Sequence, residues 1–389
     1  MREAVIVSAV RTPVGKARGV FAGTPVDTLG KEAVKEAVRR AGIDPAKIDQ
    51  VFFSNLTNFE IKLPARMISL SAGIPIEVPA IAVEQACASS LTGLAFAANL
   101  ILSGQADIVV SGGMESSSRS PYIMERPSAG YMHTPPKWAY RANTPPEYEN
   151  LPMGITAERI AQRYHITREE CDAFSLTSHQ KATKAWEEHR FDEQIVPIEA
   201  VGAKGKTTLV TQDEIFRPNL TLETLAKLKP AFDPNGVVTA GSSCALSDGA
   251  GANVVMEKEL AKSMGLEILA TFRGFANVGV EPQVMGTGPI YATRKLLAQK
   301  KMTLDDIDVI EMNEAFAPQC IACIRELGID ESKLNVNGGA IALGPPYAAT
   351  GAILIAKMVY ELKRRGGGMG LITFCVGAGQ GVSVLLERE

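Results

Sequence analysis

The sequence predicts an α/β fold made of two copies of one unit, with a separate domain spliced into the first copy. Three observations carry this. Short β-rich runs alternate with helical patterns toward both ends of the chain, the pattern of strands crossing over through helices. A helix, a short link, an Ile-Asp pair and a strand occur at 29–53 and again at 289–312, and the turn CASSLTG (87–93) returns as PPYAATG (345–351) at the same offset to within one residue. Between the copies, roughly 116–243, the texture turns polar and is broken by Pro121, Pro127, Pro135, Pro136, Pro145, Pro146 and Pro152.

In chain order, 4–10 reads as a strand and Arg11-Thr12-Pro13 as the loop after it. Residues 29–41 have helical spacing, which Gly42 ends. A strand at 51–54 leads to the stretch on which the chain is organised, 80–113: a short strand, a tight turn with Cys87, a helix, and a strand at 108–110. Leu91, Leu94, Ala95, Ala98 and Leu102 fall on one helical face. In the polar insert, 167–189 opens as Thr-x-x-Glu, a capping box, and Trp186 lies in that helix. The alternation suggests a mostly parallel sheet with covered faces. The expected domains are 1–119 with 247–268, the insert 120–246, and 269–389.

Composition excludes several function classes. A net charge of −3 gives no field for nucleic acid or an anionic membrane surface. The longest weakly polar run, 91–102, is far short of the roughly 20 residues a transmembrane helix needs. Met1-Arg2-Glu3 runs straight into the first strand, so no signal peptide is expected. Six cysteines scattered over 389 residues suggest reduced thiols in the cytoplasm rather than a disulfide framework.

Cys87 is the first candidate for chemistry. Small residues crowd its turn, and a thiol just ahead of a helix is expected to be ionised by free backbone N–H groups and the helix dipole. That would make it a nucleophile. The duplication sets the Pro345 turn opposite, with the two helix N-termini converging. Two further strand ends surround the same point. Asn313-Glu314-Ala315-Phe316 follows a strand at 309–312, and the glycine-rich Cys375–Gly381 follows one at 371–374 and offers N–H groups to an oxyanion.

With these motifs in place the chain resembles the thiolase family over its whole length. The resemblance rests on VIVSAVRTPVGK, CASSLTG, SGGMESSS, MGITAE, KLKPAFDPNGVVTAG, VMGTGP, NEAF, VNGGAIALG and CVGAGQG, all collinear. It implies a five-layered, duplicated mixed-sheet α/β core with an inserted loop domain. It also implies acyl-CoA C-acyltransfer, the reversible thiolysis of a 3-oxoacyl-CoA. Cys87 matches the nucleophile that becomes the acyl-thioester, and Cys375 the acid/base at the α-carbon. Asn313 matches the residue that holds a water for one oxyanion; the N–H groups of Cys87 and Gly377 match the other hole. Arg217 matches a position beside the CoA adenine and phosphates. Met153, Phe232, Met285 and Phe316 match the pantetheine and acyl channel. CoA and acyl-CoA are then substrates, with no permanently bound cofactor and no metal, and a homodimer or homotetramer is implied.

The chain departs from the family in two places. Where the family has His in Gly-His-Pro-x-Gly, this chain reads Gly344-Pro345-Pro346-Tyr347-Ala348. Proline is neither base nor donor, and losing a general base costs about 10²–10⁴-fold in rate. Cys244 stands where the family has a serine near the pantetheine. Tyr347 and His133 are the groups placed to stand in for the lost base. His165, His179 and His189 are expected to be solvated or capping, Cys320 and Cys323 to pack in the core, and Lys204, Lys206, Lys227 and Lys229 to add charge beside Arg217. Two other readings stay open: an enzyme of the same fold with different acyl-CoA chemistry, and a non-catalytic acyl-CoA-binding scaffold.

Overall fold

Both halves of the chain build the same sheet in the same strand order. In the first, Gln50–Ser54 lies parallel to Ile108–Ser116, which runs antiparallel to Ser247–Glu257, and that in turn antiparallel to Ala4–Arg11. In the second, Val309–Met312 lies parallel to Gly368–Val376, then Gln380–Arg388 and Ala270–Gly279 follow antiparallel. The outer neighbour also recurs: Ala80–Ile81 beside Gln50–Ser54, and a parallel bridge Ile310↔Leu334 in the other half. A short antiparallel pairing, Val5↔Thr271 and Ile6↔Ala270, joins the halves. The computed structural model describes residues 2–126, 137–139, 142–202 and 205–389.

The sheet is therefore mixed, not mostly parallel as strand–helix alternation suggested. The reason lies in one connection per half. Gly368–Val376 passes to Gln380–Arg388 through Gly377, Ala378 and Gly379 alone, and so short a link joins only antiparallel neighbours. Ala378 and Gly379 take φ of 65° and 86° to make the turn. The equivalent connection of the first half, from Ser116 to Ser247, is the long insert.

Side chains alternate between two cores, as the pleat requires. One face of each half-sheet packs on the central helices Ser89–Leu102 and Thr350–Arg365, with Val109, Val255, Ile372 and Val384 in one cluster. The other face of the first half, with Val110 and Val254, is covered by Val26–Ala41. That of the second, with Leu371 and Leu385, is covered by Gly288–Lys300 and Ala317–Leu327. The result is helix, sheet, helix pair, sheet, helix. In the middle layer a Cβ on Gly351 would stand 2.3 Å from the backbone N of Leu91, so the central helices touch backbone to backbone.

Position in that layer overrides the single apolar face expected of 91–102. Ser89–Leu102 is buried almost all round, including Ser89, Ser90 and Thr92, which is how a helix between two sheets reads. The strand expected at 108–110 runs on to Ser116. Val26–Ala41 starts a turn earlier than the periodicity suggested and ends on Gly42 at φ 65°, a left-handed cap. In the insert, Thr167 and Glu170 form the expected capping box on Arg168–Glu187. Buried Arg11 ties the insert down, with a bidentate pair to Asp213 at 2.7 and 3.0 Å and a bond to Gln194. Among the described residues no helix is long and apolar enough to cross a membrane.

Candidate active site

Cys87 sits in a single 3₁₀ turn, Ala86–Ala88, immediately before the first central helix. The turn is held tightly. Ser89 Oγ accepts Gln85 N at 2.8 Å and donates to Ala86 O at 2.6 Å. Gln85 is pinned by Thr92, Asn277 and Gln380. Ala86 is forced to φ 45°, a region non-glycine residues rarely enter.

The thiol is not the thiolate the helix entry led us to expect. Burial pushes Cys87 up to about 12, the charge of Glu115 adds to the rise, and only its own backbone N–H opposes them. Desolvation of a charge outweighs the help of one helix end. No cation or imidazole contributes to the balance among the described residues. Cys87 is therefore a neutral thiol at rest.

The turn across from it, Tyr347–Ala349, likewise sits immediately before a central helix, and the two turns pack together. Pro345 is buried and has no side-chain polarity to offer. Glu115, on the strand Ile108–Ser116, fastens this turn: it accepts from Ala348 N, Leu56 N, Thr57 N and Thr57 Oγ1 at 3.3, 3.2, 3.0 and 2.6 Å.

Cys375 approaches from the second half. It lies inside the strand Gly368–Val376, opposite Gly381, not in the turn after it, because the strand runs two residues beyond the expected end. That strand packs on the Cys87 turn. Burial raises the Cys375 thiol well above its ordinary value, with Cys87 the first-ranked of the charges that raise it further. Asn313 follows Val309–Met312, is 1% exposed, and holds its backbone by Asn313 N to Thr373 O at 3.0 Å. Its Oδ1 is buried with no hydrogen-bond partner among the described residues, and such an atom is costly unless something polar meets it. Gly377 begins the turn beyond Cys375, and among the described residues Met153 Sδ is the only atom within 4 Å of a Cβ built on it.

The expected channel residues gather at the same place. Met285 and Phe316 share a cluster with Cys375, with Met153 packed against it. Phe232 meets Phe316 edge-on at 5.9 Å and fills the space beside Gly154. Cys244 N donates to Ala315 O at 3.0 Å, and burial pushes its thiol to about 12, with the charge of Cys87 adding to the rise.

Arg217 is exposed, with no carboxylate partner among the described residues. Its backbone N donates to His179 Nδ1 at 3.1 Å. His179 is thus neither solvated nor a cap: burial and then the Arg217 charge lower it to about 4. Lys206 and Lys229 are exposed, and Lys227 pairs with Glu223 at 2.7 Å. His165 lies between helices, and His189 bonds Asp192 at 3.1 Å. Cys320 and Cys323 are buried in the core of the second half. His133 and Lys204 lie outside the described residues.

Three acidic residues that support the site were missed by sequence reasoning, although each sits in a quoted motif. Glu115 is one. Glu158 of MGITAE accepts from Val237 N and Val238 N, both at 2.9 Å, fixing the loop that carries Phe232. Glu314 of NEAF accepts from Ser178, Asn335 and Ile341 N at 2.7, 2.7 and 3.1 Å. Glycines beside two of them were the available signal: a Cβ on Gly236 or Gly339 would stand 2.1 or 2.0 Å from those carboxyl groups.

The duplicated α/β core brings to the junction of its halves two thiols and an Asn313 Oδ1 without a hydrogen-bond partner among the described residues, an arrangement suited to covalent acyl transfer. The thiolase N-terminal domain matches residues 4–259 and the thiolase C-terminal domain residues 266–388. The chain is 44% identical to the 3-ketoacyl-CoA thiolase of Bacillus subtilis and 41% to the acetyl-CoA acetyltransferase of Cupriavidus necator, each over 100% of both chains. Its structure is similar to that of the Bacillus anthracis acetyl-CoA acetyltransferase, with TM-score 0.93 and 38% identity over 100% of this chain and 99% of that one. It is also similar to the human mitochondrial 3-ketoacyl-CoA thiolase in complex with CoA, with TM-score 0.93 and 35% identity over 100% and 98%. The chain belongs to the thiolase family and is an acyl-CoA C-acyltransferase.

Proposed function

We propose that the protein interconverts a 3-oxoacyl-CoA plus CoA with two acyl-CoA molecules through an acyl-thioester on Cys87. The observation that carries this is the meeting of Cys87, from the first half, with Cys375, from the second, beside the unpartnered Oδ1 of Asn313. A scaffold has no use for two thiols at one point.

In the first step Cys87 Sγ attacks the thioester carbonyl of an acyl-CoA. The C–S bond to CoA breaks, and the departing CoA sulfur takes up a proton in place of the one Cys87 has lost. In the second, Cys375, acting as its thiolate, takes a proton from the α-carbon of a second acyl-CoA, and the carbanion attacks the acyl-Cys87 carbonyl. The new C–C bond displaces the Cys87 thiolate, which takes that proton back from Cys375 and so restores the base. Splitting the reaction at a covalent intermediate explains the need for two thiols. Both attacks place negative charge on a carbonyl oxygen, and the N–H groups of Cys87 and Gly377 and a water on Asn313 are the donors we assign to it. Met153, Met285, Phe316 and Phe232 line the path of the acyl-pantetheine arm, Cys244 lies along it, and exposed Arg217 meets the phosphates.

The same reading includes self-association. Ala80–Ile81 is the outermost strand of its sheet. Around it Leu63, Ile76 and Ile81 are 70%, 72% and 51% exposed, an apolar sheet edge of the kind proteins cover. A second copy paired edge to edge covers it. A cleft of about 940 Å³ behind the site turns, lined by Gln85, Ala86, Phe96, Gly377 and Ala378, opens between these elements.

Intact-protein mass spectrometry after incubation with acetyl-CoA and acetoacetyl-CoA tests the reading. One acetyl adduct is expected, absent from Cys87→Ser and retained in Cys375→Ser, which forms no carbon–carbon bond. An adduct that survives Cys87→Ser and vanishes in Cys375→Ser reverses the two roles; no adduct in any variant supports the scaffold.

A further inference from the structure

Acyl transfer to Cys87 needs something to balance the charge that the missing imidazole would have met, and the described residues contain few candidates. The charged or titratable groups that bear on Cys87, Tyr347 or Cys375 from the packed elements are Glu115, Cys244, Cys323 and those three themselves. Burial raises Glu115, and four hydrogen bonds that it accepts oppose that rise. It repels negative charge on Cys87. Cys244 and Cys375 are enclosed thiols with raised values, and thiols are weak donors.

Tyr347 differs from all of these. It opens the 3₁₀ turn that packs on the Cys87 turn, two residues after Pro345. The side chain is half-buried; burial raises its hydroxyl, and the charges of Cys87, Cys244 and Glu115 raise it further. Its hydroxyl has no hydrogen-bond partner among the described residues, yet it is not sealed in the core. A phenol is a strong donor, and burial keeps this one protonated well beyond neutral pH. A donor with no partner among the described residues, on the turn that packs against the nucleophile's turn and has lost its imidazole, is placed to donate to developing negative charge.

We propose that the Tyr347 hydroxyl is the side-chain hydrogen-bond donor that stabilises negative charge at Cys87, on the sulfur before attack and on the thioester oxygen during it. The proposal rests on the thiolase reading above. Tyr347 keeps its own proton throughout; Cys87 loses its proton to solvent before attack, and the departing CoA sulfur takes one back from solvent. Tyrosine therefore replaces the donor half of the histidine's work and not the basic half. The reaction then has no imidazole titrating near neutrality, and acylation accelerates steadily with pH as more Cys87 ionises.

The test is Tyr347→Phe, which keeps the ring and removes the hydroxyl. Rapid-quench mass spectrometry with acetyl-CoA should show Cys87 acylation slowed roughly 10²–10³-fold, the range for deleting one oxyanion donor. Iodoacetamide should also alkylate Cys87 more slowly at fixed pH, with the thermal midpoint unchanged. If Tyr347→Phe is unstable, 3-fluorotyrosine at the same position is the second probe; a stronger donor should accelerate acylation. Wild-type rates in either variant overturn the proposal. Cys87→Ser run alongside separates the two failures: an acetyl adduct persisting there defeats the assignment of Cys87 as the acylated thiol, whereas normal acylation by Tyr347→Phe with none in Cys87→Ser defeats only the role of Tyr347.

Discussion

Glu115 Oε2 accepts the backbone N–H of Ala348 at 3.3 Å, so a strand of the first half holds the turn of the second half that faces Cys87. The same carboxylate raises the Cys87 thiol. One side chain thus fixes the geometry of the site and opposes ionisation of its nucleophile.

Glu115→Gln is expected to separate these effects. Removing the negative charge lowers the Cys87 value, so iodoacetamide alkylation at pH 8 should be faster than in wild type. Turning an amide NH₂ toward backbone N–H groups leaves at least one unpaired, at a cost of about 1–3 kcal/mol. Thiol-reactivity profiles against pH and denaturant unfolding read the two results. Slower alkylation would show that Glu115 acts on Cys87 through position alone.

Pro345→His with Ala348→Gly restores both family residues opposite Cys87. If the absent base limits turnover, cleavage of acetoacetyl-CoA by CoA should rise by about 10²-fold, the lower end of the range for general catalysis. That range corresponds to roughly 3–5 kcal/mol of barrier. Steady-state kinetics of the double variant beside wild type measures it. An unchanged rate would mean that deprotonation of Cys87 is already served by another group. In the restored variant the penalty of Tyr347→Phe should shrink, because the imidazole then also donates.

His179 makes stability depend on acid. Its folded value is about 4 against 6.5 as the ordinary value, with burial the main cause and Arg217 the second. A depressed value means the neutral ring is the one the fold accepts. Stability is complete above pH 6.5, declines as the unfolded chain alone takes up the proton, and is lost as the pH passes down through about 4. The full difference is about 3 kcal/mol. Urea unfolding at pH 7.0 and pH 4.5 should show a larger drop in wild type than in His179→Gln; equal drops would assign the acid sensitivity elsewhere.

Arg217→Ala tests the CoA end of the site. The side chain is exposed and carries no ion pair among the described residues, so the thermal midpoint should hold. Losing a charge-assisted contact to phosphate should raise KM for acyl-CoA roughly tenfold with kcat little changed. Wild-type KM should rise with added salt and the variant's much less. A KM equal to wild type would place the phosphates elsewhere.

Gly339→Ala should disrupt the support under Asn313. The new methyl would lie 2.0 Å from the Glu314 carboxyl carbon, and Glu314 is buried and bonded to three donors. Displacing it leaves those donors short, so loss of about 2–4 kcal/mol in chemical denaturation is expected. Unaltered stability would mean the carboxylate relocates freely.

The duplication, the turns at Cys87 and Pro345, the caps at Gly42 and Thr167, and the family itself were legible in the sequence. Each is written in local pattern: spacing, a capping residue, a motif. What the sequence could not settle was what depends on neighbours far along the chain. Strand direction followed from the three-residue link at Gly377–Gly379, and the all-round burial of Ser89–Leu102 from the second sheet packed over it. The charge state of Cys87 was read wrongly because a helix N-terminus is a local feature, whereas desolvation and Glu115 arrive only with the tertiary fold. Glu115, Glu158 and Glu314 escaped notice for the same reason. A carboxylate in a motif looks solvated until folding buries it among backbone N–H groups contributed by other segments, and only that enclosure turns it into an anchor.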